Sequence, residues 1–141
     1  MTGYQWTVLF AAWLGWGFDA FDALLFNYVS GACVPDLLGL TPGTEAAKDA
    51  ALQWNGALTS LLLVGWAIGG EWAAGAAMVA EVVPEKRRLE AGALLYSAAP
   101  LGIFMAGFLS DRVSHHWMPN NPHAWRYVFL MGLIPAIFAL L

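Results

Sequence analysis

Three carboxylates occupy positions where a carboxylate is costly. Asp19 and Asp22 interrupt "GWGFDAFDALLFNYV", and Glu71 interrupts "GWAIGGEWAAGAAMVAE". Asp19 and Asp22 are three apart, which places them on one face of a helix. Asn27 follows five residues after Asp22, about 140° further round. An aspartate near the centre of a membrane-spanning helix costs roughly 2.5–3.5 kcal/mol on insertion scales, so such acids face a cavity or a partner. Two chemistries suit them: exchange of a proton, or recognition of a polar solute inside a membrane. The structural alternative for the pair is a place near the interface with a hydrogen bond to another helix. Glu71, a single acid, carries the same two readings.

The remaining reactive side chains form no such constellation. His115, His116 and His123 lie in a polar segment where Asp111 is the one acid at ligand spacing, which is not a metal-site pattern. Cys33 is a lone cysteine and cannot form an internal disulfide. Intramembrane aspartyl proteolysis needs two acids facing each other from different helices (compare). Here both lie on one helix, and no Gly-x-Gly-Asp signature occurs. No enzyme chemistry, cofactor or metal is expected.

The elements that would hold these acids are helices in a bilayer. Of 141 residues, 60% are hydrophobic and 11% charged, against about 25% charged in a typical soluble domain. Mean hydropathy is +0.60. About 20 apolar residues cross the hydrocarbon core, and four segments qualify as helices: about 6–29, 51–83, 91–109 and 125–141. The expected fold is therefore an all-α integral membrane protein in a single domain, 1–141. Pro35, Pro42 and Gly43 break the chain after the first segment. Pro100 and Pro135, inside apolar segments, are expected to kink their helices. Met1–Gln5 lack Lys and Arg, which argues against a cleaved signal. "SGAC" before Val34 is a weak lipoprotein pattern without the aliphatic residue and basic start. Nothing in the charge pattern suggests nucleic-acid binding.

Lys86, Arg87 and Arg88, with Glu81 and Glu85 beside them, mark the loop between the second and third segments as cytoplasmic. Four spans then place both termini inside. Trp6, Trp54, Trp117 and Trp125 fall near the expected interfaces. Gly65, Gly69, Ala73 and Ala77 recur every fourth residue, as do Ala98, Gly102 and Ala106. Small-residue stripes let helix backbones approach closely in lipid, so both are expected to serve packing, within the chain or in self-association.

Together these segments resemble the N-terminal half of a transporter of the major facilitator superfamily, in the group of proton-coupled symporters for sugars, sialic acid and small carboxylates. "GWGFDAFDALLF" is similar to the family's first helix. "GGEWAAGAAMVAEVVPEKRR" is similar to its fourth helix and following cytoplasmic loop. "AGALLYSAAPLGIFMAG" resembles the fifth helix and "WRYVFLMGLIPAIFALL" the start of the sixth. The resemblance implies proton-coupled uptake of a small organic anion or sugar across a bacterial inner membrane. It implies a coupling or substrate role for Asp19 and Asp22, with Glu71 lining the fourth-helix side.

The chain departs from the family pattern in one place. "LQWNGALTSLLLVGWAIGG" resembles the second helix but runs straight into the fourth-helix motif. The Gly, Asp, Arg loop and the third helix are absent, and no Lys or Arg lies between Lys48 and Lys86. The expectation is an internal deletion joined near Gly69-Gly70, which preserves topology because both parent helices run from outside to inside. Members of the family have twelve helices in two halves that rock against each other around a central site, whereas this chain has room for four. The alternative function is therefore a non-transporting membrane protein, or a fragment, acting as a helix-packing partner.

Overall fold

The computed structural model describes the backbone of residues 1–69 and 71–139, and within these the side chains of all but Glu71, Trp72, Phe138 and Ala139. Among the described residues the regular structure is helical. It comprises α1 (Gly3–Leu38), α2 (Glu45–Gly69), α3 (Glu71–Val82), α4 (Arg88–Tyr96), α5 (Ala98–Asp111), α6 (Ala124–Met131) and α7 (Leu133–Ala139). A 3₁₀ turn, Glu85–Arg87, precedes α4, and a π-helical segment, Arg112–Trp117, extends α5. Three apolar stretches, Gly3–Leu38, Glu45–Val82 and Glu85–Trp117, are long enough to cross a membrane. A shorter one, Ala124–Ile137, follows.

Local sequence sets the ends of α1. Thr2 and Gln5 form a reciprocal capping box at its start. Gly39, at φ 66°, ends the helix in the left-handed conformation that glycine adopts without penalty, and the Leu40 N–H returns to the Pro35 carbonyl at 2.9 Å. Pro35, expected to break the chain, instead lies inside the helix. Cys33, Val34 and Pro35 are all buried, and Cys33 and Val34 join the core with Val113 and Val128. That packing outweighs the one backbone hydrogen bond Pro35 cannot make. At 36 residues α1 is about 54 Å long, well beyond the roughly 30 Å hydrocarbon layer. Its last two turns, including Asp36, therefore project past the expected span of 6–29.

The other boundaries shift for identifiable reasons. α2 begins at Glu45 rather than 51 because the Thr44 hydroxyl accepts the Ala47 N–H at 3.2 Å. The third segment starts at Arg88 and continues through Trp117, so the first part of the expected polar loop is helical. Helical regularity breaks at Ser97 and again at Gly132, three residues before Pro100 and Pro135. Each proline lacks the N–H that would bond the carbonyl four residues earlier, at Tyr96 and Met131. The breaks in regularity thus lie about one turn ahead of the prolines, as expected for the carbonyls they leave unbonded.

α1 is the central post, touching α2, α3, α4, α5 and α6. Towards its C-terminal end Phe21, Leu25, Val29 and Cys33, spaced by four, pack with Ala106, Val113 and Val128. Towards its N-terminal end Leu9 packs with Val79, Val83, Ala91 and Leu95.

Candidate functional site: the acids of α1 and their seams

Two different seams border the α1 acids. The seam with α5 is close and lined by apolar residues. A Cβ at Gly102 would collide with the Gly17 carbonyl, and one at Gly17 would meet the Ala98 carbonyl at 3.4 Å. Ala98, Gly102 and Ala106 are all buried, as their spacing predicts. Small residues here let the helices touch backbone to backbone.

The stripe of Gly65, Gly69, Ala73 and Ala77 behaves differently. Gly65, Ala73 and Ala77 are exposed, and a Cβ on Gly65 would meet nothing within 4 Å. Within the chain, α3 instead uses the next face. A Cβ on Gly75 would touch Ala12 at 3.4 Å, and Ala76 and Val79 join the core that holds Leu9. The four-residue period is right for a helix face, but α1 takes the neighbouring one. Gly69 is the last residue of α2.

The seam with α2 is polar. The Trp66 indole donates to Asp19 Oδ1 at 3.4 Å, and the Trp16 ring packs tilted against Trp66 at 6.0 Å. Two turns along, the Thr59 hydroxyl donates to Asn27 Oδ1 at 3.2 Å. Asp22 does not share this seam. It is exposed, and its Oδ1 would lie 3.4 Å from a Cβ on Gly132, at the break between α6 and α7. A step of three residues leaves the side chains about 60° apart, enough to send one acid to α2 and the other towards the last helices. Of the pair that shares this face in the sequence, Asp19 bonds to α2 while Asp22 stands exposed near Gly132. The Glu71 side chain lies outside the described residues, so the chain's three intramembrane acids are not brought into one described cluster.

Sequence reasoning missed Trp66 and Thr59. Their signal was there: they are seven apart on one face of an apolar helix, and each has a polar hydrogen that needs an acceptor in lipid.

A second polar cluster ties the far end of α1 to the start of α6. Asp36 Oδ2 lies 3.0 Å from His123 Nδ1 and accepts the Trp125 indole N–H at 3.0 Å, with Arg126 at 3.9 Å. Hydrogen bonding from His123, aided by Trp125 and the charge of Arg126, holds the Asp36 carboxyl below the usual carboxylate range. Trp125, expected as an interface anchor, here serves as a donor to this carboxylate. Beside the cluster, Pro35, Asp36, Ser114, Asn121 and Trp125 line a cavity of about 430 Å³. His115 and His116 approach Asp111 at 3.2 and 3.7 Å, and among the described residues no group of three metal-ligating side chains forms.

At the opposite end, Lys86 and Arg87 lie in the exposed 3₁₀ turn, and Arg88 opens α4 with its Nε donating to the Val83 carbonyl at 3.4 Å. Glu81, expected in this loop, occupies the last turn of α3.

The family model described as Major Facilitator Superfamily matches residues 29–141. A Cupriavidus pinatubonensis protein named for 4-methylmuconolactone transport is 36% identical over 90 residues, covering 64% of this chain and 21% of that protein. A Haemophilus influenzae protein named for metabolite transport aligns over 181 residues at 23% identity, covering 99% of this chain and 43% of the relative. An Escherichia coli inner-membrane protein named for metabolite transport is 30% identical over 77 residues, covering 54% of this chain and 16% of its own length. The chain therefore spans less than half the length of each of these relatives. No solved structure matches it. With its apolar helices and these bacterial relatives, the chain is a multi-pass inner-membrane protein that belongs to the Major Facilitator Superfamily.

Proposed function

We propose that the chain supplies the N-terminal part of a proton-coupled symporter for a small organic anion or sugar. Asp19 and Asp22 carry the proton or the solute, and Glu71 is assigned to the same function by the resemblance of its segment to the family's fourth helix. The observation that carries this reading is the division of the α1 acids between two seams. One acid hydrogen-bonds to α2, and the other stands exposed beside Gly132. An exposed carboxylate at that depth needs either water or further helices around it, and the facing half of a symporter supplies such a cavity. The cluster of Lys86, Arg87 and Arg88 supports a cytoplasmic α3–α4 connection and, with four spans, cytoplasmic termini.

We also infer an internal deletion near Gly69-Gly70. The Haemophilus alignment runs over 181 positions while the chain has 141 residues, so at least 40 positions of that alignment have no counterpart here. The direct change from second-helix to fourth-helix sequence supports the same view. A second reading, a non-transporting protein that packs against other helices, is favoured by the exposed small-residue stripe of Gly65, Ala73 and Ala77. Proteoliposome uptake with Asp19→Asn and Asp22→Asn separates the two. Symport predicts that each change removes uptake driven by a pH gradient while insertion is unchanged. The packing reading predicts effects on insertion or stability alone.

A further inference from the structure

The α1–α2 seam changes character along its length. At the end nearest Lys48, Ser30, Gly31, Ala47, Lys48 and Asn55 help line a cavity of about 300 Å³. Lys48 and Leu52 at its rim are exposed. Inside it Ser30 is buried, and Asn55 Oδ1 is buried with no hydrogen-bond partner among the described residues. An unsatisfied buried amide oxygen costs about 1–3 kcal/mol. Water normally relieves that cost where the space is polar and exceeds roughly 10–15 Å³.

Inward of the cavity the facing side chains stay polar. The Ser30 hydroxyl donates to the Asn27 carbonyl at 3.2 Å, and the Thr59 hydroxyl donates to the Asn27 side chain at 3.2 Å. Asn55 and Thr59 are one turn apart on α2, as Ser30 and Asn27 nearly are on α1. One further turn in on each helix, the half-buried residues are Ala23 and Leu62, neither of which can hold water. The next polar pair is Asp19 with Trp66.

We propose that water fills the α1–α2 seam from the Lys48 end down to Asn27 and Thr59, and that Ala23 and Leu62 close it ahead of Asp19. The inlet brings water and small polar solutes to eight residues from Asp19, about 12 Å along the helix. It rests on the cavity and its polar lining and is independent of whether Asp19 couples protons.

Cysteine accessibility tests it. Cys33 is the lone cysteine, so a Cys33→Ala chain provides a clean background. Single changes Asn55→Cys, Thr59→Cys, Leu58→Cys and Leu62→Cys are reconstituted in proteoliposomes and treated on both sides with a charged methanethiosulfonate. Leu58 is the control, because it is 40% exposed yet sits at the depth of Thr59 on another face. Positions 55 and 59 should react at least about tenfold faster than 58 and 62, because the reactive thiolate forms in water and not in hydrocarbon. Rates are normalised to total thiol after denaturation. Asn27→Cys reads the same depth from α1 and must label like Thr59→Cys. Equal rates at 59, 27 and 58 would mean a dry seam and overturn the inlet. Fast reaction at 62 would overturn its closure.

Discussion

Asp19 and Asp22 stand three residues apart on α1 and address different helices. Asp19 accepts a hydrogen bond from Trp66 on α2, while Asp22 lies beside Gly132 at the break before α7. The helix that carries both acids is itself held in two ways, by backbone contact with α5 and by side-chain hydrogen bonds with α2.

The α5 contact makes a sharp prediction about glycine. Gly102→Ala drives a methyl into the Gly17 carbonyl and should cost about 1–3 kcal/mol, as overpacking does. Gly17→Ala, which meets Ala98 at ordinary contact distance, should cost much less. Thermal unfolding in detergent compares them.

Gly65→Ala is the opposite case. Nothing lies within 4 Å of its Cβ position, and alanine is favoured over glycine in a helix by about 1 kcal/mol. The change should be neutral or stabilising in the same assay. A loss of stability, or a shift of an oligomer to monomer, would show that the exposed stripe packs against a second copy.

The Asn27–Thr59 bond predicts a small, measurable coupling. A double-mutant cycle of Asn27→Leu and Thr59→Val should give no more than about 0.6 kcal/mol, the average for hydrogen bonds between membrane helices, because water in the seam competes for both groups. A value of zero would indicate that the bond is exchanged for water without loss.

The Asp36 cluster predicts an acid-dependent stability. The Asp36 carboxyl is held below its usual value of 3.8 in the folded chain, chiefly by the hydrogen bond to His123. Its stabilising effect is therefore full above the unfolded value and is lost as pH falls through the lower folded value. The parent chain should exceed Asp36→Asn in thermal midpoint at neutral pH. The gap should begin to close below about pH 4 and vanish at lower pH. An unchanging gap would mean that Asp36 contributes by shape and not by charge.

Much of this arrangement was legible in the sequence. The membrane class, the all-α fold, the Ala98–Gly102–Ala106 contact and the family resemblance follow from period, composition and motif. What escaped depends on which neighbour each face meets. Spacing predicts the Gly65 stripe as well as the Gly102 stripe, yet only the partner helix decides which is covered. Pro35 has the chemistry of a breaker, but the buried Cys33, Val34 and Pro35 keep α1 intact around it. A spacing of three places Asp19 and Asp22 on one face, and the remaining 60° of rotation separates their partners.

The central claim is that the α1 acids couple protons to solute movement. Its most direct test places this chain in the Haemophilus relative in place of the 43% it matches. Uptake of labelled small carboxylates and sugars into proteoliposomes is then measured with and without a pH gradient. The account predicts gradient-driven uptake of at least one of these solutes, abolished by Asp19→Asn and by Asp22→Asn at equal insertion. Gradient-driven uptake that both asparagine variants retain, or a well-inserted chimera with none, would contradict it.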